Sequence, residues 1–251
     1  MSLNLGVILR ESAKKNPDKV AIVVGETKLT YGQVHTYAQK LAGSLKKLGV
    51  SRGQHVALML PNVPQFTIAY YAIHYVGGVV VPLNVLLKGD EVQYHLDDSD
   101  SVAIIAWEGF LEHAQAGFAR ADVCKHLIVA KADPTDVSAP DGMQNMTALI
   151  GGGEPVVELP DTMPDDTAVM LYTSGTTGVP KGVAIRHCNV TQLLEGIGRY
   201  LPAAGVWSQC HSYGFDMSGW EIFGALTRGG RLVVAPDSIT HSPDDLSLIH
   251  I

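Results

Sequence analysis

Apolar residues recur along this chain in two rhythms. Val34, Tyr37, Ala38, Leu41, Ala42, Leu45 and Leu48 each have a partner three or four positions away. That spacing predicts an amphipathic helix with one buried face. Thr30 and Gln33 stand at capping-box spacing ahead of it, and Gly49 is placed to stop it. Val20-Ala21-Ile22-Val23-Val24, 55–60, Val79-Val80-Val81, 102–106 and Leu127-Ile128-Val129 are short unbroken apolar runs. They predict strands buried on both faces. A short strand at Lys28-Leu29 follows the turn Gly25-Glu26. Helices are expected over 6–15, from Pro61-Asn62 to near Tyr75, over 90–96 and over 108–118. Strand and helix therefore alternate. The fold class expected is α/β, with layered, doubly wound, mostly parallel sheets and helices on both faces.

Past residue 132 the rhythm weakens. The stretch 133–164 is rich in proline, contains Gly151-Gly152-Gly153 and has few periodic apolar positions. It reads as a surface excursion, or as a linker between sub-lobes 1–132 and 165–251. Ala168-Val169-Met170-Leu171 then reads as a buried strand and Val183-Ala184-Ile185 as another. Asn189, with Gln192 three residues on, marks a helix start whose buried face is Leu193, Leu194, Ile197 and Leu201. A strand is expected over 206–211. Ser218-Gly219-Trp220-Glu221 reads as a second capping box, opening a helix to Arg228, and a strand follows over 231–235. Ser242-Pro243-Asp244-Asp245 signals one more helix start, which places Ile251 inside a repeating α/β unit.

Composition narrows the picture. Of 251 residues, 46% are hydrophobic and 17% charged, which suits a packed core rather than disorder. The net charge of −7, with no basic block, argues against nucleic acid as a partner. Cys124, Cys188 and Cys210 are odd in number and far apart, as in reduced thiols of a cytoplasmic protein. No Cys-x-x-Cys occurs and the histidines are scattered, so no zinc site is expected. The N-terminus lacks the basic start and apolar core of a signal peptide. The apolar stretch 66–87 is interrupted by His74, Gly77-Gly78 and Pro82, and divides into a helix and a strand rather than a membrane span.

The chemistry concentrates in Leu171-Tyr172-Thr173-Ser174-Gly175-Thr176-Thr177-Gly178-Val179-Pro180-Lys181-Gly182. Seven of these twelve residues are Gly, Ser or Thr. Glycine lets backbone amides converge on an anion, the hydroxyls add donors and Lys181 adds charge. A strand running into such a turn suits phosphate. No Gly-Lys-Ser/Thr follows at the spacing of a P-loop.

This stretch resembles the phosphate-binding signature of AMP-forming adenylating enzymes: acyl-CoA synthetases, luciferases and the adenylation domains of nonribosomal peptide synthetases. Leu29-Thr30-Tyr31 resembles the first block of that family, and 215–223, beginning Phe215-Asp216-Met217, resembles the block lining its acid pocket in the amino-acid branch. The region 59–100, with Val81-Pro82-Leu83-Asn84, is more similar to fatty- or aryl-acid CoA ligases. The resemblance implies the N-terminal portion of an adenylation domain, truncated, over 1–251. It implies ATP and Mg²⁺, a carboxylic or amino acid, and CoA or a carrier-protein phosphopantetheine as acceptor. Thr173, Ser174, Gly175, Thr176, Thr177, Gly178 and Lys181 would cradle phosphate.

By the same resemblance Asp216 would pair with a substrate α-amino group, unless it is only a turn residue before a helix. Met217 and Trp220 would line the side-chain pocket, although Trp220 could equally pack the core. His211 would lie near the adenylate, or be an ordinary strand-end histidine. The family's later Tyr-Gly-x-Thr-Glu and Thr-Gly-Asp blocks and its lid lysine are absent from these 251 residues, so no catalytic or metal-binding residue is assigned. The alternative function is a catalytically inactive fragment that binds only a nucleotide or a partner.

Overall fold

The structure, a computed structural model, describes residues 4–173, 178–198, 205–213 and 216–235. In chain order the elements are α1 (Gly6–Lys15), β1 (Val20–Val24), β2 (Thr27–Thr30), α2 (Tyr31–Lys47), β3 (His55–Met59) and α3 (Pro64–Tyr75). β4 (Val79–Pro82), α4 (Gly89–Asp98), β5 (Ser101–Trp107), a single 3-10 turn (Glu108–Phe110), α5 (Leu111–Phe118) and β6 (His126–Ala130) follow. Then come β7 (Gln144–Asn145), α6 (Met146–Gly152), β8 (Thr167–Thr173) and β9 (Lys181–Arg186). The last are α7 (His187–Gly198), β10 (Val206–Gln209), α8 (Asp216–Thr227) and β11 (Arg231–Val234).

The strands form two sheets. One has seven strands in the order β7-β6-β5-β3-β4-β8-β9, parallel except for the β8–β9 hairpin. The other has four, in the order β10-β11-β1-β2, with β1 parallel to β11 and antiparallel to β2. The unbroken apolar strands are explained by burial on both faces. Along β3, Val56 and Leu58 enter a large core shared with α1, α2, α3 and α8, while Ala57 and Met59 enter a smaller one under α4 and α5. This is the layered α/β arrangement expected, divided between two sheets.

Local signals in the first half set the elements as read. Thr30 Oγ1 accepts from the Gln33 amide and Gln33 Oε1 accepts from the Thr30 amide, so both bonds of the capping box are present. Such a cap contributes about 1 kcal/mol. Gly49 follows α2 at a φ of 93°, a left-handed conformation that glycine adopts without steric cost.

Four expectations change in the second half. The stretch 133–164 is not wholly irregular: β7 adds an edge strand and α6 packs on α2. Strand pairing also crosses this stretch, through β4 with β8 and β1 with β11. α7 begins at His187, two residues before Asn189. Asn189 Oδ1 instead reaches back to the Arg186 amide at 3.0 Å. Leu193, expected on the buried face, is 47% exposed. Finally, the Ser218–Glu221 pair lies inside α8, which starts at Asp216. Ser218 Oγ donates to the Tyr213 carbonyl at 3.3 Å, and Glu221 turns to β10, so the pair does not open the helix as read. The helix expected after Pro243 lies outside the described residues, as does Leu201.

Among the described residues no helix is long and apolar enough to cross a membrane.

Candidate functional site

The glycine- and hydroxyl-rich stretch connects β8 to β9. The two strands pair antiparallel with Thr173 opposite Lys181 and Tyr172 opposite Gly182. The hairpin thus delivers the Thr173 and Lys181 side chains to one end of the sheet, where both are exposed. Gly178 has a φ of 78°, and a Cβ there would meet nothing within 4 Å among the described residues. Its glycine is required by backbone conformation rather than by space. Ser174, Gly175, Thr176 and Thr177 lie outside the described residues.

Alternation along the hairpin gives its two faces different neighbours. Val169, Leu171, Val183 and Ile185 line a cavity of about 450 Å³, completed by Tyr70, Val190, Tyr213, Trp220 and Phe223 among others. Met170 and Tyr172 point the other way, onto the smaller core beneath α4. Leu171 in the cavity wall and Thr173 at the loop are two residues apart, about 7 Å along a strand. The cavity has the size and apolar lining of a small-molecule pocket.

The second group of candidates lies on β10 and α8. Trp220 lines the cavity and packs edge-on against Trp207, with ring centroids 6.0 Å apart at 61°. It is therefore both a pocket residue and a packing residue. Met217 is 43% exposed and is not part of the cavity lining among the described residues. Asp216 opens α8, and its side chain lies outside the described residues. His211 follows β10 with its ring half exposed, and its Nδ1 is 2.8 Å from Glu221 Oε1.

Glu221 is the residue that sequence reasoning misplaced. Its carboxylate is buried, with 9% of the side chain exposed, and accepts from the Cys210 amide at 3.2 Å as well as meeting His211. A carboxylate set inside the apolar run Trp220-Glu221-Ile222-Phe223 needs a buried partner, and that was the available signal. Among the described residues no group of three or more His, Cys, Asp or Glu is placed to hold a metal.

The donor set suits a polyphosphate: exposed hydroxyl and ammonium groups on either side of a glycine turn. Comparisons with known proteins agree in kind. The chain is 34% identical to an isonitrile lipopeptide synthase of Mycobacterium tuberculosis over 238 residues, covering 95% of this chain and 9% of that protein. It is 34% identical to a long-chain-fatty-acid–CoA ligase of Bacillus subtilis over 203 residues, covering 73% of this chain and 36% of the ligase. Its fold matches the crystal structure of an anthranilate CoA ligase in complex with anthranoyl-AMP. That match has a TM-score of 0.87 at 23% identity, over 99% of this chain and 48% of the other. The chain thus spans about half of that structure and a smaller share of the two curated relatives. The model of the AMP-binding enzyme family matches residues 9–250, and the chain belongs to that family.

Proposed function

We propose that this chain is the N-terminal part of an AMP-forming acid–thiol ligase. One observation carries the reading. The hairpin that presents Thr173 and Lys181 also supplies Leu171 and Val183 to the wall of an apolar cavity. A triphosphate at the loop and an acid in the cavity would then lie side by side.

The reaction has two steps. The acid's carboxylate oxygen attacks the α-phosphorus of ATP, and pyrophosphate leaves to give an acyl-adenylate. A thiol of CoA or of a carrier-protein phosphopantetheine then attacks the acyl carbon and AMP leaves. The hydroxyls of Thr173, Ser174, Thr176 and Thr177 and the amides at Gly175 and Gly178 hold the phosphates. Lys181 offsets their charge. Mg²⁺, when bound, supplies further charge neutralisation on the triphosphate. Aligning two bound reactants can lower the barrier by about 7–11 kcal/mol, and fixed donors add electrostatic stabilisation. Glu221 orients His211 at the end of β10, facing the adenylate. Trp220 shapes the pocket, Met217 its rim, and Asp216 pairs with an α-amino group if the acid is an amino acid.

ATP–pyrophosphate exchange in the protein that carries this chain, with a panel of amino, aryl and fatty acids, tests the reading. Lys181→Ala should lower kcat/KM for ATP by about 10- to 100-fold, the worth of a charged hydrogen bond. Exchange unaltered by both Lys181→Ala and Thr176→Ala would refute the assigned roles.

A second reading applies to the 251 residues taken alone. They lack the Tyr-Gly-x-Thr-Glu and Thr-Gly-Asp blocks, so on its own the chain would bind nucleotide without turnover. Pyrophosphate exchange assayed on this chain alone separates the two, because measurable exchange would rule the second out.

A further inference from the structure

Helix α4 touches the phosphate loop at both ends. Tyr94 Oη donates to the Pro180 carbonyl at 2.8 Å, and Tyr172 Oη donates to Asp98 Oδ2 at 2.7 Å. Pro180 immediately precedes Lys181, and Tyr172 immediately precedes Thr173. Tyr94 and Asp98 are four residues apart, so they project from one face of the helix. The His95 ring adds an edge contact to Tyr172, with centroids 4.4 Å apart. Proline has no amide proton, so its carbonyl is the one backbone group at that position able to hydrogen-bond.

The helix making these contacts is itself fixed. A Cβ on Gly117 of α5 would fall 2.6 Å from Val92 Cβ, so the two helices are in close approach. Asp97 Oδ1 accepts from the Asp122 amide at 2.8 Å, and Arg120 Nη1 lies 2.6 Å from Asp90 Oδ1. Burial, reinforced by the Asp98 carboxylate, raises the Tyr172 pKa and keeps the phenol a donor at neutral pH. All of this lies on the face of the hairpin opposite the cavity, because Tyr172 and Leu171 point to opposite sides.

We propose that Tyr94 and Asp98 are positioning residues that hold the two ends of the phosphate loop, through Pro180 and Tyr172, at the spacing a bound triphosphate requires. The proposal rests on the adenylating reading above. It assigns α4 to the nucleotide and leaves the acid to the other face of the hairpin.

The test uses the protein that carries this chain with Tyr94→Phe, Asp98→Ala, Asp98→Asn and, as a control on α4 that does not touch the loop and keeps the oxygen accepting from the Asp122 amide, Asp97→Asn. Two quantities are read: amide hydrogen exchange across residues 170–183, and KM for ATP and for the acid in pyrophosphate exchange. Tyr94→Phe and Asp98→Ala should each speed exchange across the loop and raise KM for ATP by about fivefold, the worth of one hydrogen bond. KM for the acid should stay unchanged. Asp98→Asn keeps an accepting oxygen and should restore most of the loss, and Asp97→Asn should leave both quantities as they were. Unaltered loop exchange and ATP KM overturn the proposal, as does an equal effect from Asp97→Asn. If the unsubstituted protein neither binds ATP nor exchanges pyrophosphate, the adenylating reading fails and the nucleotide role falls with it. The amide exchange still decides whether α4 anchors the loop.

Discussion

Nδ1 of His211 lies 2.8 Å from Oε1 of Glu221, ten residues further along the chain. The contact joins the end of β10 to the first turns of α8, the two elements that flank the candidate acid site. Glu221 is the more buried partner, and it also accepts from the Cys210 amide. Truncating it leaves that amide without its carboxylate partner. Glu221→Ala should therefore lower unfolding free energy by about 2 kcal/mol, and Glu221→Gln by less, because an accepting oxygen remains. Urea titration of both variants checks the order. Equal stability of wild type and Glu221→Ala would show that the contact contributes nothing.

Acid should weaken the seam between the N-terminus and α7. His187 is buried, and its Nδ1 accepts from the Leu5 amide at 3.4 Å. Burial lowers its pKa from 6.5 to about 4, against a smaller opposing pull from Asp166. His74, whose ring centroid is 5.5 Å away, is lowered further, by burial and then by His187. With the folded pKa below the unfolded one, the unfolded chain binds the extra proton. The contribution of His187 is thus complete above pH 6.5 and declines as pH falls from 6.5 towards 4, by on the order of 3 kcal/mol in all. Denaturation midpoints measured across that range should fall with pH, and His187→Gln should flatten the slope.

Two glycines mark where α2 meets the segment after α6. A Cβ on Gly43 would fall 1.7 Å from the Glu154 carbonyl oxygen, and one on Gly153 would fall 2.0 Å from the Lys40 carbonyl oxygen. Neither backbone can yield without breaking the packing, so alanine at either position should cost about 3 kcal/mol or more. Gly151, inside α6, has nothing within 4 Å of its Cβ position. Gly151→Ala should instead stabilise by about 0.5–1 kcal/mol through helix propensity. Thermal melts of the three variants test the contrast in sign.

Gly219 lines the cavity from within α8, and a Cβ there would meet nothing within 4 Å among the described residues. Gly219→Leu should fold normally and narrow the pocket. Under the proposed function, KM should rise for the bulkiest accepted acids by about 10-fold or more while KM for ATP holds steady. An unchanged acid profile would place the acid somewhere other than this cavity.

Much of this architecture is legible in short stretches of sequence. The helical rhythm after Thr30 and the cap formed with Gln33 depend on residues within a few positions of one another. So does the left-handed turn at Gly178. Steric limits on φ and local hydrogen bonds act at that range, and they do not wait for the rest of the chain. Short apolar runs such as Val79-Val80-Val81 likewise announce burial on both faces. The glycine- and hydroxyl-rich composition of 173–182 is legible for the same reason, since it lies in one continuous segment.

Other features depended on residues distant in sequence. Ser218 and Glu221 have the spacing of a helix cap, yet α8 begins two residues ahead of Ser218 and Glu221 is drawn to β10. A buried carboxylate goes where desolvation is best compensated, and that partner is a matter of packing. The pairing of β1 with β11 brings together strands more than two hundred residues apart. The short α6, within a proline-rich stretch, is stabilised by packing on α2 rather than by its own propensity. The sequence alone determined most of the elements outside 133–164 and the side chains the loop carries, because these follow from local sterics and side-chain identity. Only the tertiary structure decided that the cavity and the α4 anchors occupy opposite faces of one hairpin, because strand alternation acquires meaning only once each face has a neighbour.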